Sequence, residues 1–325
     1  MTGPNIYATV QAAHDAAAIG DIIYLEPSST NSPNNLGPLV STKRLTIIGT
    51  GYLLSANAGE PGMPADKREA WISSAQFNNG SAGSVVMGVV FLVPEGGGVN
   101  VKDGNIKFER CYLNRIFLGA QLSGATLLSA AHNTRIARCY FPWDGHSTPA
   151  VESQSWTISG TTYYPNNCQI ENNIMHKGVG SVNNSIINNN VFANSSWSGL
   201  STTGSILKNN IFLYNGSFGG TGNTFFNNIS ITSNLPEGNG NVNNANSSLL
   251  SISTNRTYDK HFQLGSSSPA TGAGENGTDC GAFGGATPYI LSGLPPYPII
   301  TDLQVSGTGS TTLPLNVTIS AKSNN

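Results

Sequence analysis

Apolar and polar positions alternate in six short stretches that lie in register when stacked. They read IKFERCYL from Ile106, TRIARCYF from Thr134, CQIENNIM from Cys168, SIINNNVF from Ser185, SILKNNIF from Ser205 and NTFFNNIS from Asn223. Aligned on their fifth and sixth positions, they place Arg110-Cys111, Arg138-Cys139, Asn172-Asn173, Asn189-Asn190, Asn209-Asn210 and Asn227-Asn228 in two columns. The last three steps are 17, 20 and 18 residues. Self-similarity at a nearly fixed period marks a solenoid, and helical repeats need about 33 residues or more. Units this short, built of Ile, Val and Phe with polar turns, predict coils of a β-solenoid.

Each repeat supplies two inward apolar columns. One is Phe108, Ile136, Ile170, Ile187, Leu207 and Phe225; the other is Leu113, Phe141, Met175, Phe192 and Phe212, ending in Ser230. Between them, Asn173, Asn190, Asn210 and Asn228 are placed to form an inward ladder, each amide bonding the next coil and so satisfying groups that are costly to bury alone. Asn also tolerates the left-handed backbone of tight corners. The asparagines are therefore read as structural.

Outside the repeats the pattern changes. YATVQAAHDAAAI (7–19) is Ala-rich with helical spacing and ends at Gly20-Asp21, followed by the strand-like IIYLEP. A solenoid end exposes interior and strand edges, so this helix (7–20) is expected to be a cap, with His14 structural. LTIIGTGYLL (45–54), WISSAQF (71–77) and VVMGVVFLV (85–93) predict less regular coils, interrupted by an exposed loop at 58–70. The 34-residue step from Arg138 to Asn172 is either one coil with a long loop or two coils. Residues 236–325 are expected to close the solenoid, their last two strand-like runs packing back along it. No linker divides the chain, so residues 1–325 are read as one domain, with coils over 21–235.

Charged residues make up only 10% of the 325, and the net charge is −2, so nothing global points to nucleic acid or an anionic membrane. No run of 18 apolar residues exists to span a bilayer. Met1-Thr2-Gly3-Pro4 reads as an added start on a trimmed chain, with no signal peptide visible. Cys111 and Cys139 share a column at a strand spacing of about 4.8 Å, which allows either a disulfide or two buried thiols. The four cysteines match no zinc pattern.

The x-I-x-N-N-x-F coils, with a capping helix before GDIIYL, resemble the right-handed parallel β-helix (pectate-lyase-like) superfamily over roughly residues 7–235. That superfamily includes polysaccharide lyases and glycoside hydrolases of the polygalacturonase type. Separately, Ser268-Pro269-Ala270, Gly274, Asp279, Gly281, Ala282 and Phe283 resemble the SPA…G…DxGAF closing element of secreted bacterial β-helix proteins. The resemblance implies an all-β, right-handed parallel β-helix and a secreted or cell-surface location. One such scaffold hosts many activities.

Candidate chemistry lies just beyond the second apolar column. Arg115, Trp143, Lys177 and Tyr214 follow it as outward positions, with His176 one step earlier and Asp144 and His146 extending one coil. Arg or Lys can neutralise a uronate, His or Lys can act as base, and Asp can hold a sugar hydroxyl. Trp143, Trp197 and Tyr214 are candidates for stacking on sugar rings. Seven of the fifteen Lys and Arg fall between residues 100 and 180, among them Arg110 and Arg138 in one column. Stacked like charges repel, so these need either an anionic ligand or pairing with Glu109, Glu152 and Glu171. The chain lacks the clustered acids of calcium-dependent lyases and the Asp-Asp and Gly-His-Gly segments of polygalacturonases. No cofactor is expected, and no acid cluster in the coils indicates calcium. The leading expectation is a protein that binds extracellular polysaccharide or serves as an adhesive or structural element. The alternative is a lyase or hydrolase acting on an acidic glycan.

Overall fold

A computed structural model describes residues 5–27, 36–91, 98–142, 148–193, 199–214, 217–232, 234–245, 247–252, 256–310, 312 and 314–323. Among these, the strands stack into three long sheets in which every neighbouring pair is parallel. The first sheet runs Ile22–Tyr24, Thr46–Ile48, Val85–Met87, Lys107–Glu109, Arg135–Ala137, Gln169–Glu171, Ile186–Asn188, Ile206–Lys208 and Thr224–Phe226. The second begins with Leu39–Ser41 and Ala75–Phe77 and ends with Leu200–Thr203 and Phe218–Gly219; the third runs from Val90–Phe91 to Ile229–Ser230. The repeats predict a β-solenoid and the resemblance a right-handed parallel β-helix; the chain is one.

Both predicted apolar columns are in register. Phe108, Ile136, Ile170, Ile187, Leu207 and Phe225 pair successively on the first sheet, and Ile23, Ile47 and Val86 extend the column upward. Phe141, Met175, Phe192, Phe212 and Ser230 pair successively on the third sheet. The run VVMGVVFLV splits into Val85–Met87 and Val90–Phe91, because Gly88 occupies the same corner as Arg110 (φ 66° and 53°). Arg138, Asn172, Asn189, Asn209 and Asn227 repeat that left-handed corner, with φ between 50° and 56°.

The sixth column forms the expected ladder. Asn173, Asn190, Asn210 and Asn228 are fully buried. The Oδ1 of Asn190, Asn210 and Asn228 each accepts from the backbone N–H and the side-chain amide of the preceding asparagine, at 2.9–3.1 Å. Asn241 extends the ladder below and Cys139 above, its N–H donating to Asn173 Oδ1 at 2.8 Å. All four cysteines are buried free thiols, and Cys139 Sγ accepts the Cys111 N–H at 3.5 Å. A second ladder, not read from the sequence, runs along the opposite corner: Cys168, Ser185 and Ser205 each donate their N–H to the next coil's Ser185, Ser205 and Asn223 at 3.0 Å.

The helix is shorter than the pattern predicts, Val10–Ala16, because Thr9 caps it and Ala17 is extended. Val10 and His14 are buried, and His14 Nε2 accepts the Thr42 N–H at 3.2 Å. The 34-residue step is one coil, since Arg135–Ala137 pairs directly with Gln169–Glu171. Its extra length is a hairpin, Trp156–Ile158 with Thr161–Tyr163; the coil above carries another, Ala120–Ser123 with Thr126–Ala130.

The third sheet is apolar on both faces: Ile174, Val191, Ile211 and Ile229 point away from the interior column, yet all are fully buried. Such strands need cover on both sides. The closing segment supplies it, running back along the left-handed corners. Asn227 Nδ2 donates to Ala273 O, Asn189 Nδ2 to Asp279 O, Asn172 Nδ2 to Ala282 O and Gly284 O, and Arg110 Nη1 to Leu294 O. Gly281 (φ 86°) lies so close that a Cβ would sit 2.7 Å from Ile211 Cδ1. Buried Asp259 pins the far end, accepting from Asn57 Nδ2, Ser292 N and the Tyr289 hydroxyl at 2.7, 2.7 and 3.2 Å. The expectation that the last two runs pack along the solenoid is corrected. Ile299–Ser306 and Asn316–Lys322 pair with each other, and every residue of the second strand is exposed. Among the described residues the base of this pair is anchored, with Ile299 beside Leu54, Met63 and Leu294 and Ile300 O accepting the Ala65 N–H at 2.7 Å.

Candidate functional site

The corner leading from the third sheet into the second contains the predicted flank, but its chemistry is largely enclosed. Lys177 is 1% exposed, and Arg115 and Tyr214 are also buried, so their reading as outward residues is corrected. Alternation holds only within a strand, and the strand before Lys177 is just Ile174–Met175. The chain then turns, and the in–out parity does not carry across. Arg115 Nη1 donates to Thr148 Oγ1 at 2.6 Å, with its guanidinium 5.5 Å from the Phe117 ring. Arg115 and Lys177 share this corner two coils apart, on the order of 10 Å at normal strand spacing. Trp143, Asp144, His146 and Trp197 lie outside the described residues.

His176 is covered by the closing segment. Its ring meets Phe262 edge-on at 5.5 Å, and Nε2 lies 3.4 Å from the Tyr140 hydroxyl. Burial, helped by the Arg256 guanidinium, pushes its pKa down to about 4. It is neutral at pH 7, half-buried, with Nε2 directed at the Tyr140 hydroxyl.

The basic columns are paired in part. Arg135 bridges Glu109 and Glu171 across the first sheet, and Arg138 Nη2 bonds Glu109 Oε2 at 3.2 Å. Arg110 is buried beneath the closing segment. Arg138 is thus paired with Glu109, whereas Arg110 meets the Leu294 carbonyl instead of a carboxylate, and Glu152 takes no part in these contacts. Among the described residues, no three His, Cys, Asp or Glu side chains converge in a way that could hold a metal ion.

An aromatic surface does reach solvent, at the corner between the second and first sheets. The hairpin around Ser159-Gly160, both with positive φ (50° and 81°), makes the tight turn that suits twisted strands. Its register sets Trp156 opposite Tyr163, and the two rings stack at 6.3 Å and 17°. His132, from the preceding coil's turn, packs edge-on against Trp156 at 5.5 Å. Trp156 is thus sandwiched and 7% exposed, while Tyr163 and Tyr164 remain 44% and 37% exposed. Trp156 Nε1 is buried with no hydrogen-bond partner among the described residues. Thr157 and Thr162 place hydroxyls 3.2 Å apart on the same ribbon. Side chains alternate along a strand, so these hydroxyls lie on the ribbon face opposite the rings; the Trp156–Tyr163 pair itself is a ring platform able to stack a sugar ring.

Sequence reasoning missed Trp156, Tyr163, Tyr164 and His132. The signal was present: WTISGTTYY is two alternating runs around Ser-Gly, the mark of a two-residue hairpin. Compared with known protein families, curated proteins and solved structures, the chain finds no match. The fold and this site therefore carry the functional argument.

Proposed function

We propose that the chain is a bacterial secreted or cell-surface protein of the pectate-lyase-like β-helix type that binds extracellular polysaccharide, with the hairpin platform as its binding surface and the solenoid as a rigid carrier. The observation that carries this reading is the exposed Tyr163 ring held flat against Trp156. Stacking on a preorganised ring costs little side-chain entropy, which suits a weak, repetitive ligand. The resemblance of the closing segment to that of exported β-helix proteins supports the location. Catalysis on an acidic glycan is the weaker reading, because Lys177 and Arg115 are buried and His176 is covered by Phe262.

The test is a glycan array probed with the intact protein, with a parallel search for ultraviolet-absorbing unsaturated products on polyuronates. Binding should appear and fall at least about tenfold in Tyr163→Ala, the loss expected of one stacking ring. Unsaturated product, or binding indifferent to Tyr163→Ala, would overturn the proposal.

A further inference from the structure

We infer that the glycan taken by the hairpin platform is electrically neutral. The inference rests on the binding reading above and deepens it. Two stretches build the platform and its surroundings, residues 116–134 and 153–168, and neither contains a Lys, Arg, Asp or Glu. The one ionisable base between them, His132, has its pKa lowered by burial, and its Nδ1 faces the Asn166 N–H at 3.2 Å. It therefore brings no positive charge to the surface at pH 7.

The charges that flank the platform do not help a polyanion. Glu152 stands where the chain enters the hairpin, and it is acidic. Arg135, at the start of the next first-sheet strand, is already held by Glu109 and Glu171. A uronate or sulfate laid on these rings would lose water and meet no cation within the two stretches that build the platform, which is unfavourable. An uncharged sugar meets what is present. Its apolar face covers the open side of Tyr163, whose other face rests on Trp156.

The experiment measures binding of the intact protein to neutral polysaccharides (glucan, mannan, xylan, galactan) and to polyuronate and sulfated polysaccharides, each at about 0.05 and about 0.5 M NaCl. Contacts to neutral sugars are not screened by salt. The expected result is binding to at least one neutral polysaccharide, with less than about a twofold change between the two salt levels. Tyr163→Ala should cost about tenfold or more. Preference for polyanions with steep salt dependence would overturn the neutral assignment while leaving glycan binding standing. No binding to any member of the panel by a protein with native circular dichroism would overturn the binding reading itself, and this inference with it.

Discussion

Replacing Asn190 with Ala tests the physical basis of the repeat. Asn190 Oδ1 accepts from the backbone N–H and Nδ2 of Asn173, and its own Nδ2 donates to Ile170 O at 2.8 Å, Asn188 O at 3.0 Å and Asn210 Oδ1 at 3.0 Å. Truncation leaves the buried Asn173 N–H without that acceptor. Asn173 Nδ2 keeps Ile136 O, and Asn210 Oδ1 keeps the Asn190 N–H. The cost is therefore one orphaned buried donor plus the space vacated by the amide, together about 2–4 kcal/mol. Asn190→Cys should fall between wild type and Ala, because Cys139 already serves this column with a sulfur acceptor. Urea unfolding followed by circular dichroism and by tryptophan fluorescence gives the midpoints. Ser201→Ala, exposed on the second sheet, is the control and should stay within about 0.5 kcal/mol of wild type. An Asn190→Ala midpoint as close to wild type as that control would refute the ladder as a source of stability.

Two further outcomes follow from the closing segment. The folded pKa of His176 is lowered to about 4, so the unfolded chain binds its proton first; stability is full above about pH 6.5 and falls as pH drops toward 4, by up to about 3 kcal/mol. His176→Gln should flatten that part of a stability–pH curve, and an unchanged slope would show that another group controls it. Gly293→Ala would place a methyl 2.2 Å from Tyr52 Cε1 and 2.5 Å from Arg110 O at φ 54°, so it should loosen the segment and cost several kcal/mol, on the order of 3; limited proteolysis that cuts the variant no faster than wild type within 256–297 would argue against that packing.

The sequence determined what repeats. A short period with Ile, Val and Phe in fixed columns leaves one way to bury them, so the coils, two interior columns and the Asn190 ladder were legible. They depend on neighbours one coil away, and the spacing states those neighbours. That Val191-Phe192 and Ile211-Phe212 are buried on both faces was not read from the repeats, which name only the inward column. Only the tertiary structure decided that, by laying residues 256–297 along corners up to about two hundred residues earlier, as when Leu294 O meets Arg110. Such contacts have no period, so nothing in the spacing reports them. That non-local cover is why His176 left the surface while its sequence position suggested a flank. Lys177 was misplaced for a different reason: a two-residue strand carries its in–out parity no further than the next corner. Tyr163 became a candidate in their place because its hairpin interrupts the period rather than following it.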